Sequence, residues 1–253
     1  MTPLVELEGL TRRFGDRAAL DHVRLDVGSG EFLALVGPSG SGKTTLLKSI
    51  NRLVEPDEGI VRLGGRDVGG LPVAELRRGI GYVFQGIGLF PHMDVAENIW
   101  MVPRLSGAAA AGREARVAEL LELVALPPEF ASRMPRAFSG GQAQRVGFAR
   151  ALAAGPKLML MDEPFGALDP VTRDDLGRAY RDLHDRLGLT TIMVTHDMAE
   201  ALLLADRVVV LIEGRIRADA SPAALVAGQN DPDVQALIDV PRRQAQALAR
   251  LTP

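Results

Sequence analysis

The chain has no cysteine, which excludes disulfides, thiol nucleophiles and thiolate metal sites. Lysine is scarce: Lys43, Lys48 and Lys157 are the only ones, and arginine carries the rest of the positive charge. Positive charge is not in excess either. Lys plus Arg number 29 against 32 Asp plus Glu, a formal net charge of −3. That balance argues against a nucleic-acid partner held by phosphate neutralisation. Long apolar runs are missing too. The most apolar stretch, Ala201 to Ile212, is broken by Asp206 and Arg207, whereas a bilayer span needs roughly 20 apolar residues. Near the N-terminus stand Glu6 and Glu8 rather than a basic-then-apolar leader. Work at a membrane would require another protein as anchor.

What is present is a chain of 253 residues, 47% of them hydrophobic, enough for one large α/β domain or a core with one inserted subdomain. Apolar, β-rich runs recur at Leu4–Leu7, Val23–Val27, Phe32–Val36, Ile60–Leu63, Ile80–Phe84, Leu158–Met161, Thr191–Val194 and Val208–Ile212. Helical patterns separate several of them. After Asp169-Pro170, an N-cap and first-turn pair, Leu176, Tyr180, Leu183 and Leu187 form one apolar face. Alternating strands and helices predict a largely parallel sheet covered on both faces. The early strands are joined by turns, which predicts an antiparallel patch there. Between Gly86 and Ala154 only helical patterns appear, among them Arg113–Ala125, stopped at Leu126-Pro127-Pro128. This block reads as a helical insertion. Asp231 to Pro253 reads as one last amphipathic helix.

Three motifs carry chemistry. The first is Gly37-Pro-Ser39-Gly40-Ser41-Gly42-Lys43-Thr44, which matches G-x-x-x-x-G-K-[ST] and lies between a predicted strand and a predicted helix. Its glycines let backbone N–H groups close around phosphate oxygens at a helix N-terminus. Lys43 supplies a point charge for the β- and γ-phosphates, and Thr44 a hydroxyl for Mg²⁺; Thr45 follows in the same turn. The second is the strand Leu158–Met161 ending in Asp162 and Glu163, acids at the sheet edge where α/β folds bind ligands. Asp162 suits Mg²⁺ through its water shell. Glu163 suits alignment of the attacking water, since a carboxyl of pKa about 4.3 is too weak to deprotonate free water. The third is Ser139-Gly140-Gly141-Gln142 at a helix start. Ser139 can cap that helix, and the two glycines leave its N–H groups open to a second anion. Glycine costs up to about 1 kcal/mol against alanine in a helix, so a capped start alone does not explain both.

Ser139-Gly-Gly-Gln142 followed by Arg145 resembles the signature motif of the ABC ATPases, and the resemblance covers nearly the whole chain in the family's motif order. It implies an α/β P-loop NTPase (RecA-like) core with an N-terminal antiparallel β subdomain and an inserted helical subdomain. The corresponding boundaries are about 1–86 and 156–230 for the core, 87–155 for the helical part and 231–253 for the last helix. It further implies ATP and Mg²⁺ as ligands. Gln85 matches the Q-loop glutamine that contacts Mg²⁺ and water, Asp169 of Gly166-Ala-Leu-Asp169 the D-loop aspartate, His196 the switch histidine that senses the γ-phosphate, and Phe14 the aromatic that stacks on adenine. Phe138 departs from the commoner leucine before Ser-Gly-Gly, a change in packing. In the family, one copy's P-loop and another copy's signature close on the same ATP. A homodimer or paired ATPase subunit is therefore expected, with a membrane permease contacted through about Gln85 to Pro91, at the cytoplasmic face of the membrane.

A finer likeness lies in Ile80 to Ile99, Asn51 to Pro56, Asp162 to Pro170 and Pro241-Arg-Arg-Gln244. These resemble importers of osmoprotectants and other quaternary amines such as glycine betaine, choline or carnitine, which implies a substrate-binding protein in the complex. An importer for an amino acid or polyamine is the alternative. Some of that group carry a paired C-terminal regulatory domain, for which 253 residues leave no room, so regulation of that kind is not expected. A non-transport ABC ATPase of translation or DNA maintenance is the less favoured rival, because the chain is acidic and shows neither a second ATPase half nor long coiled coils. A P-loop kinase or GTPase lacks the Ser-Gly-Gly-Gln signature, and no guanine-specifying Asn-Lys-x-Asp occurs.

Overall fold

The computed structural model describes residues 3–86 and 88–250. Ile87 of the Q-loop stretch and residues 251–253 of the expected last helix lie outside them. The chain divides into two compact units: Met1–Gly69 with Met193–Pro253, and Gly70–Ile192.

The first unit opens with β1 (Val5–Phe14), β2 (Arg17–Val27), β3 (Phe32–Val36), α1 (Lys43–Ile50), β4 (Glu58–Leu63) and β5 (Arg66–Asp67). Strands β2, β1, β4 and β5 lie side by side in that order as an antiparallel sheet. The predicted antiparallel patch is therefore present, with longer strands than their apolar runs. Their outer ends are polar and alternate in burial, the signature of a sheet with one wet face. The hairpin β1–β2 pairs Phe14 with Arg17 across its tip.

The second unit contains α2 (Val73–Arg78), β6 (Ile80–Val83), α3 (Val95–Leu105), α4 (Arg113–Leu123), α5 (Gly140–Leu152), β7 (Leu158–Asp162), α6 (Pro170–Leu187) and β8 (Thr190–Val194), whose last residues pass into the first unit. Strands β6 and β7 run parallel, Tyr82 opposite Leu160. All five residues of β7 and of β8 are buried, as expected of parallel strands covered on both faces. Burial of Leu176, Tyr180 and Leu183 holds α6 in place, each worth about 1.5–3 kcal/mol. Leu187, expected on the same stripe, is instead 44% exposed. It precedes Gly188, whose positive φ ends the helix. From Gly88 to Ala154 the described residues contain helices and no strand, in keeping with the helical block. Tyr180 and His184 both hydrogen-bond the Thr191 hydroxyl at 2.9 Å, a buried polar cluster under α6.

The chain then returns to the first unit with α7 (Met198–Leu204), β9 (Arg207–Ile212), β10 (Arg215–Ala220), α8 (Pro222–Ala227) and α9 (Pro232–Ala249). Here β10, β9 and β3 lie in that order, β3 parallel to β9. Strands β5 and β10 have no apolar run: β5 is two charged residues and β10 is only half-buried. Among the described residues no helix is long and apolar enough to cross a membrane.

Candidate functional site

In the first unit, buried β3 runs straight into the glycine loop, and α1 leaves it. Gly37 has φ 147° and Gly42 φ 105°. A Cβ at Gly37 would lie 2.0 Å from the Leu211 carbonyl oxygen, and one at Gly42 would lie 2.1 Å from that of Ala19. No side chain fits at either place, so the glycines are fixed by close backbone approach as well as by dihedral. Gly214 N–H donates to the Ser41 carbonyl at 3.0 Å, a further brace from the β9–β10 turn. Helix α1 has no side-chain cap and no acid in its first turn, which leaves its positive N-terminal end suited to an anion. Lys43 is buried. Its ammonium donates to the Gly37 and Pro38 carbonyls, both at 2.8 Å, so the loop's own backbone fixes where the charge sits.

Two more expected residues belong to this unit. Phe14, at the end of β1, is 52% exposed, a ring face open for stacking. The Arg12 guanidinium sits 4.8 Å from its centroid and is itself tied to Asp57 at 2.7 Å. His196 is exposed just beyond β8, where Thr195 N–H donates to the Leu35 carbonyl beside the glycine loop. Asp197 then caps α7 by accepting from Ala199 and Glu200 N–H.

The second unit gathers the acids. Asp162 ends β7 and is buried. Glu163 follows with φ 46°, a left-handed conformation that costs a non-glycine residue of order 1–3 kcal/mol. Gln85 Nε2 donates to Glu163 Oε2 at 3.2 Å, which brings together the predicted glutamine and the predicted water-aligning carboxylate. On β6, opposite Leu160 of β7, stands Tyr82, whose hydroxyl is buried with no hydrogen-bond partner. Burial, and then the Asp162 charge, push its phenol above the ordinary range.

The signature segment starts α5 with a reciprocal cap: Ser139 Oγ accepts from Gln142 N–H, and Gln142 Oε1 accepts from Ser139 N–H. Of its two glycines, Gly140 would bring a Cβ only into ordinary contact with Leu168 Cδ2 at 3.6 Å, but a Cβ at Gly141 would sit 2.4 Å from Thr172 Cγ2. A side chain at Gly141 would therefore have to displace the Thr172 methyl where α5 packs on α6, a constraint the sequence did not disclose. Asp169 caps α6, accepting from Thr172 N–H at 3.0 Å. That bond holds its carboxyl below the usual aspartate range.

Three features had no motif to announce them: the strain at Glu163, the orphan hydroxyl of Tyr82, and Arg17, which donates to the Gly40 carbonyl at 2.8 Å. Residues opposite each other in a hairpin share a face, so the register of β1 and β2 places Arg17 beside Phe14.

The family model described as ABC transporter matches residues 20–166. The choline transport ATP-binding protein OpuBA of Bacillus subtilis is 46% identical over 236 residues, 93% of this chain and 62% of that protein. The Fe(3+) ions import ATP-binding protein FbpC of Streptomyces coelicolor is 51% identical over 219 residues, 87% of this chain and 62% of that protein. The chain thus spans about three fifths of the length of these relatives. Among solved structures, the dimeric post-hydrolysis state of the ATP-binding cassette MJ0796 bound to ADP and Pi is 34% identical, covers 86% of this chain and 98% of its own, and superimposes with TM-score 0.76. The α/β P-loop architecture, the motif set in order and these relatives lead to one conclusion: the chain belongs to the ABC transporter family.

Proposed function

We propose that the chain binds and hydrolyses ATP as the motor subunit of an importer. The observation that carries this reading is the Gln85–Glu163 pair at 3.2 Å, with Glu163 held in a strained backbone conformation directly after buried Asp162. Strain of this kind collects at functional positions. A carboxylate oriented from a rigid strand end can align a water for attack on a γ-phosphate.

In this reading Gly37, Ser39, Gly40, Ser41, Gly42, Lys43, Thr44 and Thr45 take the phosphates, Phe14 takes the adenine, and His196 senses the γ-phosphate. The donors offered by Thr44, Gln85 and Asp162 are all oxygens, which suits Mg²⁺. Mg²⁺ would neutralise charge developing on the phosphate oxygens. A second copy contributes Ser139, Gly140, Gly141 and Gln142, with Asp169 at the neighbouring helix start. ATP then joins the two copies, and its loss releases them. The dimeric MJ0796 cassette supports the pairing.

A permease and a substrate-binding protein would complete the importer at the cytoplasmic face of the membrane. The OpuBA likeness supports choline or a related quaternary amine as solute. FbpC, no less similar and named for Fe(3+) import, favours a second reading in which the solute is another small molecule. Reconstitution with the cognate permease and binding protein, followed by uptake of labelled choline against other solutes, separates the two.

The motor itself is tested by Glu163→Gln. Phosphate release should stop while ATP binding persists, and light scattering should show an ATP-dependent dimer. A variant that turns over at the normal rate, or stays monomeric in saturating Mg-ATP, overturns the proposal.

A further inference from the structure

Across the tip of the first hairpin, Phe14 pairs with Arg17. Arg12 lies two residues back on β1 with its guanidinium over the same ring. One exposed aromatic is therefore flanked by two cations. They are not equivalent. Arg12 is neutralised by Asp57. Arg17 pairs with no carboxylate among the described residues; it reaches the glycine loop and donates one N–H from Nη2 to the Gly40 carbonyl. The approach is close: a Cβ at Gly40 would lie 3.2 Å from Nη2.

We propose that Arg17 is a phosphate ligand of the bound nucleotide and sets its specificity for the polyphosphate end. A guanidinium carries five N–H donors in a rigid fork. The bond to Gly40 uses one of them and anchors the fork, so the remaining donors and the charge stay available beside a loop shaped for anions. Anchoring lowers the rotamer entropy lost when an anion binds. The same hairpin that offers the base a ring thus offers the phosphates a charge. This inference rests on the nucleotide-binding reading above and adds a residue that none of its motifs contains.

The test is displacement of trinitrophenyl-ATP by ATP, ADP, AMP and inorganic tripolyphosphate, without Mg²⁺, at several salt concentrations. Arg17→Gln retains a donor for Gly40 but no charge. It should weaken ATP and tripolyphosphate by about tenfold, in line with the loss of one charged hydrogen bond. It should weaken AMP less and flatten the dependence of affinity on salt. Arg17→Lys should recover most of the loss, and Phe14→Ala should weaken ATP while sparing tripolyphosphate. If the unsubstituted protein fails to bind ATP at all, the nucleotide reading falls and this proposal with it. If it binds, and Arg17→Gln binds ATP equally well at every salt concentration, the Arg17 proposal alone falls. Equal weakening by Gln and Lys with the salt dependence unchanged also overturns it, since Arg17 would then act only as a strut.

Discussion

Replacing Gly141 by alanine separates two reasons for a glycine at the second position of α5. A new Cβ there meets Thr172 Cγ2 at 2.4 Å, more than ~1 Å inside the usual carbon–carbon contact. Overpacking of this size costs about 1–3 kcal/mol, partly offset by up to about 1 kcal/mol from the better helix propensity of alanine. The expected net loss is about 1–2 kcal/mol, a fall in Tm of roughly 2–8 °C for a chain of this size. Thr172→Ser removes the clashing methyl and keeps the hydroxyl, and the backbone N–H that Asp169 accepts is untouched. The double variant should recover most of the loss, a coupling of about 1 kcal/mol or more. Calorimetry on the nucleotide-free protein, unsubstituted and with each change singly and together, reads this directly. Gly141→Ala as stable as the parent, with no coupling to Thr172→Ser, would refute the packing argument and leave access for an anion as the sole reason for the glycine.

Gly37→Ala should abolish ATP binding, because its Cβ overlaps the Leu211 carbonyl oxygen and its φ of 147° is closed to alanine; equilibrium dialysis with labelled ATP checks it. Tyr180→Phe should cost about 1 kcal/mol in urea unfolding, since it removes the buried bond to Thr191. Asp169 has a depressed carboxyl, so its cap on α6 contributes above the ordinary aspartate pKa and is lost as pH falls through the lowered value. Acid unfolding followed by circular dichroism should accordingly begin at higher pH in the parent than in Asp169→Asn, which caps without titrating.

The central strands were legible because parallel strands buried on both faces are continuous apolar runs, as Phe32–Val36 and Leu158–Met161 are. Strands β5 and β10 were not, because an edge strand is held by its neighbour's backbone and need not be apolar. Helix α6 was legible from its cap and stripe, although Leu187, at the stripe's end, lies exposed where Gly188 turns the chain away. The phosphate loop could be read because its chemistry demands fixed residue types at fixed spacing. Arg17 could not: its placement depends on a hairpin register and on where Gly40 lies in space, and one arginine among many gives no local signal. The strain at Glu163 was equally silent, since φ is a property of the fold and Glu has no intrinsic preference for that region.

The glycine loop abuts carbonyl oxygens of Ala19 and Leu211, from two strands distant in sequence. Because nothing larger than hydrogen fits on either side, the loop's freedom is surrendered when the sheets assemble and none remains to be lost on meeting a ligand. Affinity for phosphate is therefore a property inherited from β2 and β9: a shift of a few tenths of an ångström in either backbone would reshape the cradle without altering a residue of its motif.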